Sequence, residues 1–99
     1  MSLIRLDLNN PVFQGQWFSL EKEARIAVLN SCIKLASMDW NELYRNKGFH
    51  WELIQSKTHS HGEKFYSLRI TQKIRVVAKR SGNFLQFLTL HTDHDSAHS

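Results

Sequence analysis

The spacing of the apolar residues changes at Gly48, and this change constrains the fold more than any other feature of the sequence. Between Leu20 and Met38, apolar side chains recur at the spacing of one helix face. After Gly48 they recur at every second residue, which is typical of strands with one buried face. Helices followed by a run of strands predict an α+β domain.

The first residues predict a short strand. Apolar and polar side chains alternate from Ile4 to Leu8, and the turn-forming run Asn9-Asn10-Pro11 ends the alternation. The stretch 12–18 is rich in aromatic residues but is interrupted by Gly15, so the pattern leaves its structure open.

Two helices are predicted between this stretch and Gly48. Ser19 is the expected N-cap of the Leu20–Met38 helix, whose wide apolar stripe predicts burial along much of its circumference. Asp39 and Glu42 have the spacing of a capping box, which predicts a second, short helix that runs to about Lys47.

The second half of the chain predicts four strands around a polar loop at residues 58–62. The linkers Thr71-Gln72-Lys73 and Ser81-Gly82-Asn83 have the length of hairpin turns, so the last three strands should form an antiparallel meander. The predicted strands are Phe49–Ile54, about Phe65–Ile70, Ile74–Arg80 and Phe84–His91.

The first hairpin has two alternative registers, and burial of charge decides between them. With a three-residue turn, Ile70 lies opposite Ile74 and both belong to an apolar face. A two-residue turn would place Arg75 and Lys79 on that face, where unpaired charges are costly. The three-residue turn is therefore predicted. It puts Arg69 opposite Arg75 on the face that the helices do not cover.

The same reasoning for the second hairpin predicts which side chains of the last strand face the core. Leu88 and Leu90 are expected in the core. Gln86 is expected on the same face, where a polar side chain fits poorly. Thr89 and His91 are expected on the face that carries the arginines.

Composition limits the classes of function. Ninety-nine residues make one domain, 1–99, with a core too small to enclose a deep substrate cavity. The net charge of +4, and a segment from Lys64 to Arg80 with basic residues and no acid, favour a polyanion or an acidic protein segment as partner.

Cys32 is the only cysteine, so no intramolecular disulfide can form, and its apolar neighbours predict a core residue and not a nucleophile. No apolar run has the length of a membrane span, and the first residues lack a signal peptide. We therefore expect a cytoplasmic protein without a membrane partner.

Two sequence motifs resemble a known family. Tyr66-Ser67-Leu68-Arg69-Ile70, followed after a turn by Ile74-Arg75-Val76-Val77, is similar to the paired strands of toxins in the RelE/ParE superfamily of type II toxin–antitoxin systems. The end of the last strand and the tail, residues 91–98, resembles the family's closing motif. The resemblance implies two N-terminal helices packed on one face of a mainly antiparallel sheet of four to five strands.

The resemblance also implies a function. One branch of the family consists of ribonucleases that cleave mRNA at the ribosome by attack of the ribose 2′-hydroxyl on the scissile phosphate. The partners would then be a cognate antitoxin and mRNA on the ribosome. A homodimer is possible under this resemblance, and no cofactor is expected. A gyrase poison of the ParE kind without catalytic activity, or a non-toxic interaction module of the same fold, is the alternative. Whether the protein is an enzyme therefore stays open.

The family's motifs match individual residues here. Arginine suits bidentate binding of phosphate, and imidazole can act as acid or base near neutral pH. The residues at the family's catalytic positions are Arg69, Arg75, His94 and His98. The further residues predicted to contact nucleic acid are Lys73, Lys79, Arg80 and His91.

Two departures and one competing interpretation bear on these roles. His98 stands where many members have Tyr, and Ile74 stands where an aromatic residue is common, so the identity of the acid and the base stays open. Arginines on a sheet surface can also be merely solvated. His94 and His98 have the i, i+4 spacing of metal ligands on a helix, but no Glu lies between them as in metalloproteases. We therefore predict no metal site.

Overall fold

The computed structural model describes residues 2–54 and 62–92. Helices occupy most of the first half of the chain and strands most of the second, so the predicted α+β class is confirmed. In chain order the elements are β1 (Arg5–Asp7), α1 (Pro11–Phe18), α2 (Lys22–Ala36), α3 (Trp40–Arg45), β2 (Glu52–Leu53), β3 (Tyr66–Arg69), β4 (Ile74–Ser81) and β5 (Phe84–Thr92).

The five strands form one sheet in the order β1-β5-β4-β3-β2. Strand β1 pairs with β5 in parallel, and the pairs β5–β4, β4–β3 and β3–β2 are antiparallel. The sheet is thus mainly antiparallel, and the arrangement is compatible with a RelE-like fold. The first strand of the chain lies beside the last one described.

Helix α1 occupies the stretch that the sequence left open. The Asn10 side chain accepts hydrogen bonds from the backbone N–H groups of Val12 and Phe13, and Pro11 stands in the first turn. Proline fits there because the first N–H groups of a helix need no carbonyl partner. The Asn-Pro pair that ends β1 therefore also begins α1, and this helix buries Phe13 in the core.

The predicted N-cap and burial of α2 are wrong. Ser19 does not cap this helix, because its N–H and its hydroxyl both donate to the Gly15 carbonyl at the end of α1. Glu21 stands at the cap position without a side-chain hydrogen bond. The stripe is also narrower than predicted: Val28, Cys32 and Leu35 are buried, whereas Ile26, Leu29 and Ile33 are exposed.

The capping box of α3 is confirmed. The Glu42 N–H donates to Asp39 Oδ1 at 2.8 Å, and the Asp39 N–H donates to Glu42 Oε1 at 2.9 Å. The helix is shorter than predicted, because it ends at Arg45.

The register of the first hairpin is confirmed, and Arg69 lies opposite Arg75. The second hairpin differs from the prediction. Its turn contains two residues, Gly82 and Asn83, because Ser81 pairs with Phe84. Gly82 adopts a positive φ of 61°, which glycine tolerates without strain.

A β-bulge then corrects the prediction for β5. Val77 pairs with Thr89 and Ala78 with Phe87, so Leu88 is skipped. Phe87 is fully buried opposite Ala78 because the two-residue turn sets this register, and Leu88, which was expected in the core, is only half-buried at the bulge. Leu90 lies in the core as predicted.

Strand β2 is much shorter than the predicted Phe49–Ile54. His50 has a left-handed backbone with φ of 48°, which interrupts an extended conformation before Glu52. The Phe49 carbonyl still accepts a hydrogen bond from the Arg69 N–H at 2.6 Å. The polar loop predicted at 58–62 lies mostly outside the described residues. None of the helices described has the length and apolar character of a membrane span.

Candidate nucleic-acid interface

Strand β4 separates a covered face of the sheet from an open one. Ile74, Val76 and Ala78 are buried under the helices, whereas the alternate residues are exposed or half-buried. Arg75 and Lys79 belong to this second set. We call the side of the sheet that carries them the open face.

Three of the predicted site residues lie opposite one another on neighbouring strands of the open face. Arg69 on β3 pairs with Arg75 on β4, and Arg75 pairs with His91 on β5. Residues directly opposite each other on neighbouring strands have Cβ atoms about 4.5–5.5 Å apart. Three neighbouring strands thus present two guanidinium groups and an imidazole side by side, which we call the arginine row. Three of the predicted site residues are brought together in it.

The electrostatics of the arginine row favour an anion. Within residues 2–54 and 62–92, neither Arg69 nor Arg75 forms an ion pair with an acid. Like charges directly opposite each other are destabilising in a sheet, and an anion between them would remove the repulsion. The guanidinium group binds phosphate through paired N–H donors. The His91 ring supplies a titratable group beside them, with its Nε2 atom 2.9 Å from Thr89 Oγ1.

Glu52 is a candidate that the sequence reasoning missed. It pairs with Ser67 on β3, so it lies on the open face and diagonally to Arg69. Such diagonal neighbours are about 7–8 Å apart in ordinary sheets. The His50 Nε2 atom lies 3.5 Å from Glu52 Oε1, and both side chains are exposed. The alternation of Trp51, Glu52 and Leu53 could have shown that this acid faces away from the core.

The two predicted lysines lie on or near the open face. Lys79 shares the face with Arg75, but its Nζ atom forms an ion pair with Glu63 Oε2 at 2.8 Å. Lys73 is exposed in the β3–β4 turn, where its backbone N–H donates to Thr71 Oγ1. Lys73 can therefore approach a ligand of the arginine row without breaking an ion pair.

Arg80 does not join the arginine row, because alternation along β4 turns it to the other face of the sheet. Its guanidinium carbon lies 4.2 Å from the centre of the Trp40 ring. Its Nη1 atom donates to the Tyr44 hydroxyl at 2.6 Å, and its Nε atom donates to the Gly82 carbonyl. These contacts tie the β4–β5 hairpin to α3.

The remaining predicted residues, His94 and His98, lie outside the described residues, as do His59 and His61. Among the residues that are described, no group of three or more His, Cys, Asp or Glu side chains could hold a metal ion.

Cys32 lacks the properties of a nucleophilic cysteine. It is buried in the core, and burial raises the pKa of its thiol from 9.0 to about 11. The thiolate, which is the reactive form, is therefore rare at neutral pH. The prediction of a core cysteine is confirmed.

The fold and this interface define an α+β domain with helices on one side of the sheet and a basic open face on the other. No known family model matches the sequence, and no curated protein matches it significantly. Among solved structures, the crystal structure of a copper-bound mutant toxin from Helicobacter pylori is similar in fold. The TM-score is 0.53 at 14% sequence identity, and the match covers 94% of this chain and 98% of the other.

Proposed function

We propose that this protein is the toxin of a toxin–antitoxin pair and that its open face binds and cleaves mRNA at the ribosome. The observation that carries the proposal is the arginine row: Arg69, Arg75 and His91 on neighbouring strands of the face that the described helices leave open. The name of the structural neighbour, a toxin, and the RelE/ParE-like motifs support the same class.

The chemistry needs no group beyond what such a face can supply. The ribose 2′-oxygen forms a bond to the adjacent phosphorus atom, and the bond from phosphorus to the 5′-oxygen breaks, which leaves a cyclic phosphate and a free 5′-hydroxyl. Arg69 and Arg75 would hold the phosphate and stabilise the charge that develops on it. A base must take the proton of the 2′-hydroxyl, and an acid must give one to the 5′-oxygen.

Several side chains are candidates for the proton transfers. Among the described residues, Glu52 is the carboxylate on the open face closest in register to Arg69, so it is one candidate for the base. His91 stands in the row itself, and His94 and His98 follow it by a few residues. One of these imidazoles would protonate the leaving oxygen.

The proposed partners follow from charge and from exposure. An acidic antitoxin segment could cover the open face and exclude RNA from it, because both ligands would use the same cations. Lys73 and Lys79 would add contacts to neighbouring phosphates of the message.

The test is induced expression combined with primer extension on mRNA from translating ribosomes. Wild-type protein should arrest growth and produce new 5′ ends within the message. The double variant Arg69→Ala, Arg75→Ala should do neither, although it folds. The control variant Lys22→Ala, Lys47→Ala removes the same charge at two exposed positions outside the open face and should keep both effects.

The assay also separates the alternatives. Growth arrest without new mRNA ends, together with DNA breaks formed by purified gyrase, would replace the proposal with a gyrase poison. The absence of both effects would leave a non-toxic interaction module. Arrest and cleavage that persist in the folded arginine double variant would remove the arginine row from the mechanism.

A further inference from the structure

Helix α2 carries a row of exposed apolar side chains, which we call the α2 stripe. Its members Ile26, Leu29 and Ile33 are 44%, 46% and 61% exposed, and their spacing of three and four residues places them on one line along the helix. The residues that α2 buries in the core, such as Val28 and Cys32, lie about a third of a turn away. The stripe therefore belongs neither to the core nor to the open face, and a contiguous apolar row of this kind marks a contact with a partner.

Charges of opposite sign border one side of the α2 stripe. At about 100° per residue, Glu23 near the start of the helix and Lys34 near its end lie on the same side of the stripe. They are about 16 Å apart along the helix axis, so they cannot pair within one chain. Neither forms an ion pair among the residues that the structure describes, although the Lys34 Nζ atom lies 5.7 Å from the centre of the Phe49 ring. A partner must offer a cation at one end and an anion at the other, and α2 itself offers both when it is reversed.

A reversed copy of α2 also fits the spacing of the stripe. With a twofold axis between positions 28 and 29, the apolar side chains of the two helices alternate along the contact. Their order is the partner's Ile33, Ile26, the partner's Leu29, Leu29, the partner's Ile26 and Ile33. Each side chain thus lies between two from the other helix, which is the interdigitation that packed helices require.

The same register brings the bordering charges together. In an antiparallel pair of helices with twofold symmetry, corresponding sides of the two helices meet, and Glu23 comes level with the partner's Lys34. Two equivalent ion pairs result, one at each end of the contact. On the other side of the stripe, Arg25 meets the partner's Ala36, which is small and uncharged. Interdigitation and charge therefore select the same register independently.

We propose that a second copy of this chain covers the α2 stripe in an antiparallel dimer with twofold symmetry. A single pair of helices is smaller than a standard interface of about 1,200–2,000 Å², so the dimer should be weak, with a dissociation constant in the micromolar range. Because α2 covers the other side of the sheet, the dimer leaves both open faces accessible. The inference does not depend on the proposed cleavage of mRNA.

The first test is sedimentation equilibrium of the whole protein across a concentration series from about 1 to 500 μM, which brackets the expected constant. The mass of the wild type should rise from that of one chain to that of two. Leu29→Glu places two carboxylates beside the twofold axis and should keep the mass of one chain throughout. The control Val12→Glu makes the same change at an exposed apolar residue of α1 and should dimerise like the wild type.

Exchange of the charges tests whether the partner is a second copy. Glu23→Lys and Lys34→Glu each put like charges at both ends of the contact, so either variant alone should dimerise about five- to thirtyfold more weakly. An equal mixture of the two variants should recover the wild-type affinity, because every pair in the mixed dimer again joins Lys to Glu. The recovery also shows that both variants are folded.

A disulfide between the copies locates the twofold axis without disturbing charge. Leu29→Cys should form a covalent dimer under mild oxidation, because the two copies of residue 29 lie beside the axis. Ile33→Cys should not, since its two copies are about 13 Å apart along the helices. The natural Cys32 is buried and should not compete.

Each possible failure has its own meaning. A wild type that stays monomeric at every concentration would overturn the dimer, and loss of antitoxin binding in Leu29→Glu would then assign the stripe to that partner. A dimer that survives Leu29→Glu would overturn α2 as its interface. Mixed charge variants that do not recover affinity, or a disulfide in Ile33→Cys as readily as in Leu29→Cys, would overturn the antiparallel register.

Discussion

Arg69 and Arg75 are direct cross-strand partners on the open face of the sheet, and neither forms an ion pair with an acid among the described residues. An opposite charge directly across the strand stabilises a sheet, whereas a like charge destabilises it. Here the neighbour on the third strand is His91, which would add positive charge if it were protonated. The sheet therefore carries a local electrostatic cost that an anionic ligand would relieve.

From this pair of arginines we predict that removing one charge raises the stability of the protein and lowers its affinity for RNA. Arg75→Gln removes the repulsion and should raise the free energy of unfolding by about 0.2–1 kcal/mol. The same variant should bind 2′-O-methyl RNA more weakly, because one phosphate contact is lost. Denaturant titration and fluorescence anisotropy measure the two effects. A variant that loses stability together with affinity would show that Arg75 has a structural role.

The tail histidines predict a bell-shaped dependence of cleavage on pH. If one imidazole must be neutral and the other charged, the rate should fall on both sides of an optimum. His94→Ala or His98→Ala should slow cleavage of ribosome-bound message by about 10²–10⁴-fold. Primer extension across a pH series compares each variant with wild type. Unchanged rates in both variants would assign the proton transfers to other groups, with Glu52 and His91 the first to substitute.

Binding of the antitoxin should depend strongly on salt. If an acidic segment covers the open face, steering by the cations raises the association rate, and added salt screens it. Association measured by surface plasmon resonance should slow as ionic strength rises. A rate that stays constant from low to high salt would place the contact elsewhere, for example on the exposed apolar side chains Ile26, Leu29 and Ile33 of α2.

Arg80 and Lys79 are neighbours in sequence with different expected effects on stability. Arg80→Ala removes the contact with the Trp40 ring and the hydrogen bond to Tyr44, and should cost about 1–2 kcal/mol. Lys79→Ala breaks a partly exposed ion pair with Glu63 and should cost less than about 1 kcal/mol. Thermal unfolding of the two variants measures both losses of stability, and a larger loss for Lys79→Ala than for Arg80→Ala would contradict the prediction.

Cys32 should make stability fall at alkaline pH. Burial raises the pKa of its thiol to about 11 in the folded state, from an ordinary value of 9.0. The stabilisation is thus complete below pH 9 and is lost as pH rises towards 11, by of order 2 kcal/mol. Denaturant titrations at several pH values should show a steeper loss in wild type than in Cys32→Val. If stability falls with pH equally in both proteins, the thiol does not contribute to the pH dependence.

Much of the fold followed from local rules in the sequence. The α3 capping box and the register of the first hairpin depend on neighbouring residues and on keeping Arg75 out of the core, and both were predicted correctly. The second hairpin was mispredicted for two reasons: its turn has two residues and not three, because Ser81 pairs with Phe84, and a bulge then shifts β5 by one residue at Leu88. A bulge leaves no clear mark in the alternation of apolar residues. Helix α1 was missed because its start depends on a cap that resembles a turn.

The candidate site was predictable only in part, for the same reason. Arg69 lies opposite Arg75 because of the register of the first hairpin, which could be inferred from the length of its turn. His91 lies opposite Arg75 only because the second turn has two residues and a bulge follows at Leu88, whereas a three-residue turn without a bulge would put Thr89 there. The partnership of Asp7 with Gln86 could not be inferred either, since these residues lie 79 positions apart and meet through the parallel pairing of β1 with β5. Glu52 was overlooked because the strand that carries it is only two residues long.

The parallel pairing of β1 with β5 also sets an order of events during translation. Residues of β1 leave the ribosome first, yet their hydrogen-bonding partners at Phe84–Gln86 are made last among the described strands. Limited proteolysis of stalled nascent chains should find the sheet protected only after β5 has emerged. The open face, which needs β5 for His91, is therefore incomplete until β5 has been synthesised. A protein proposed to attack translating ribosomes would thus lack its binding face until β5 has left the ribosome.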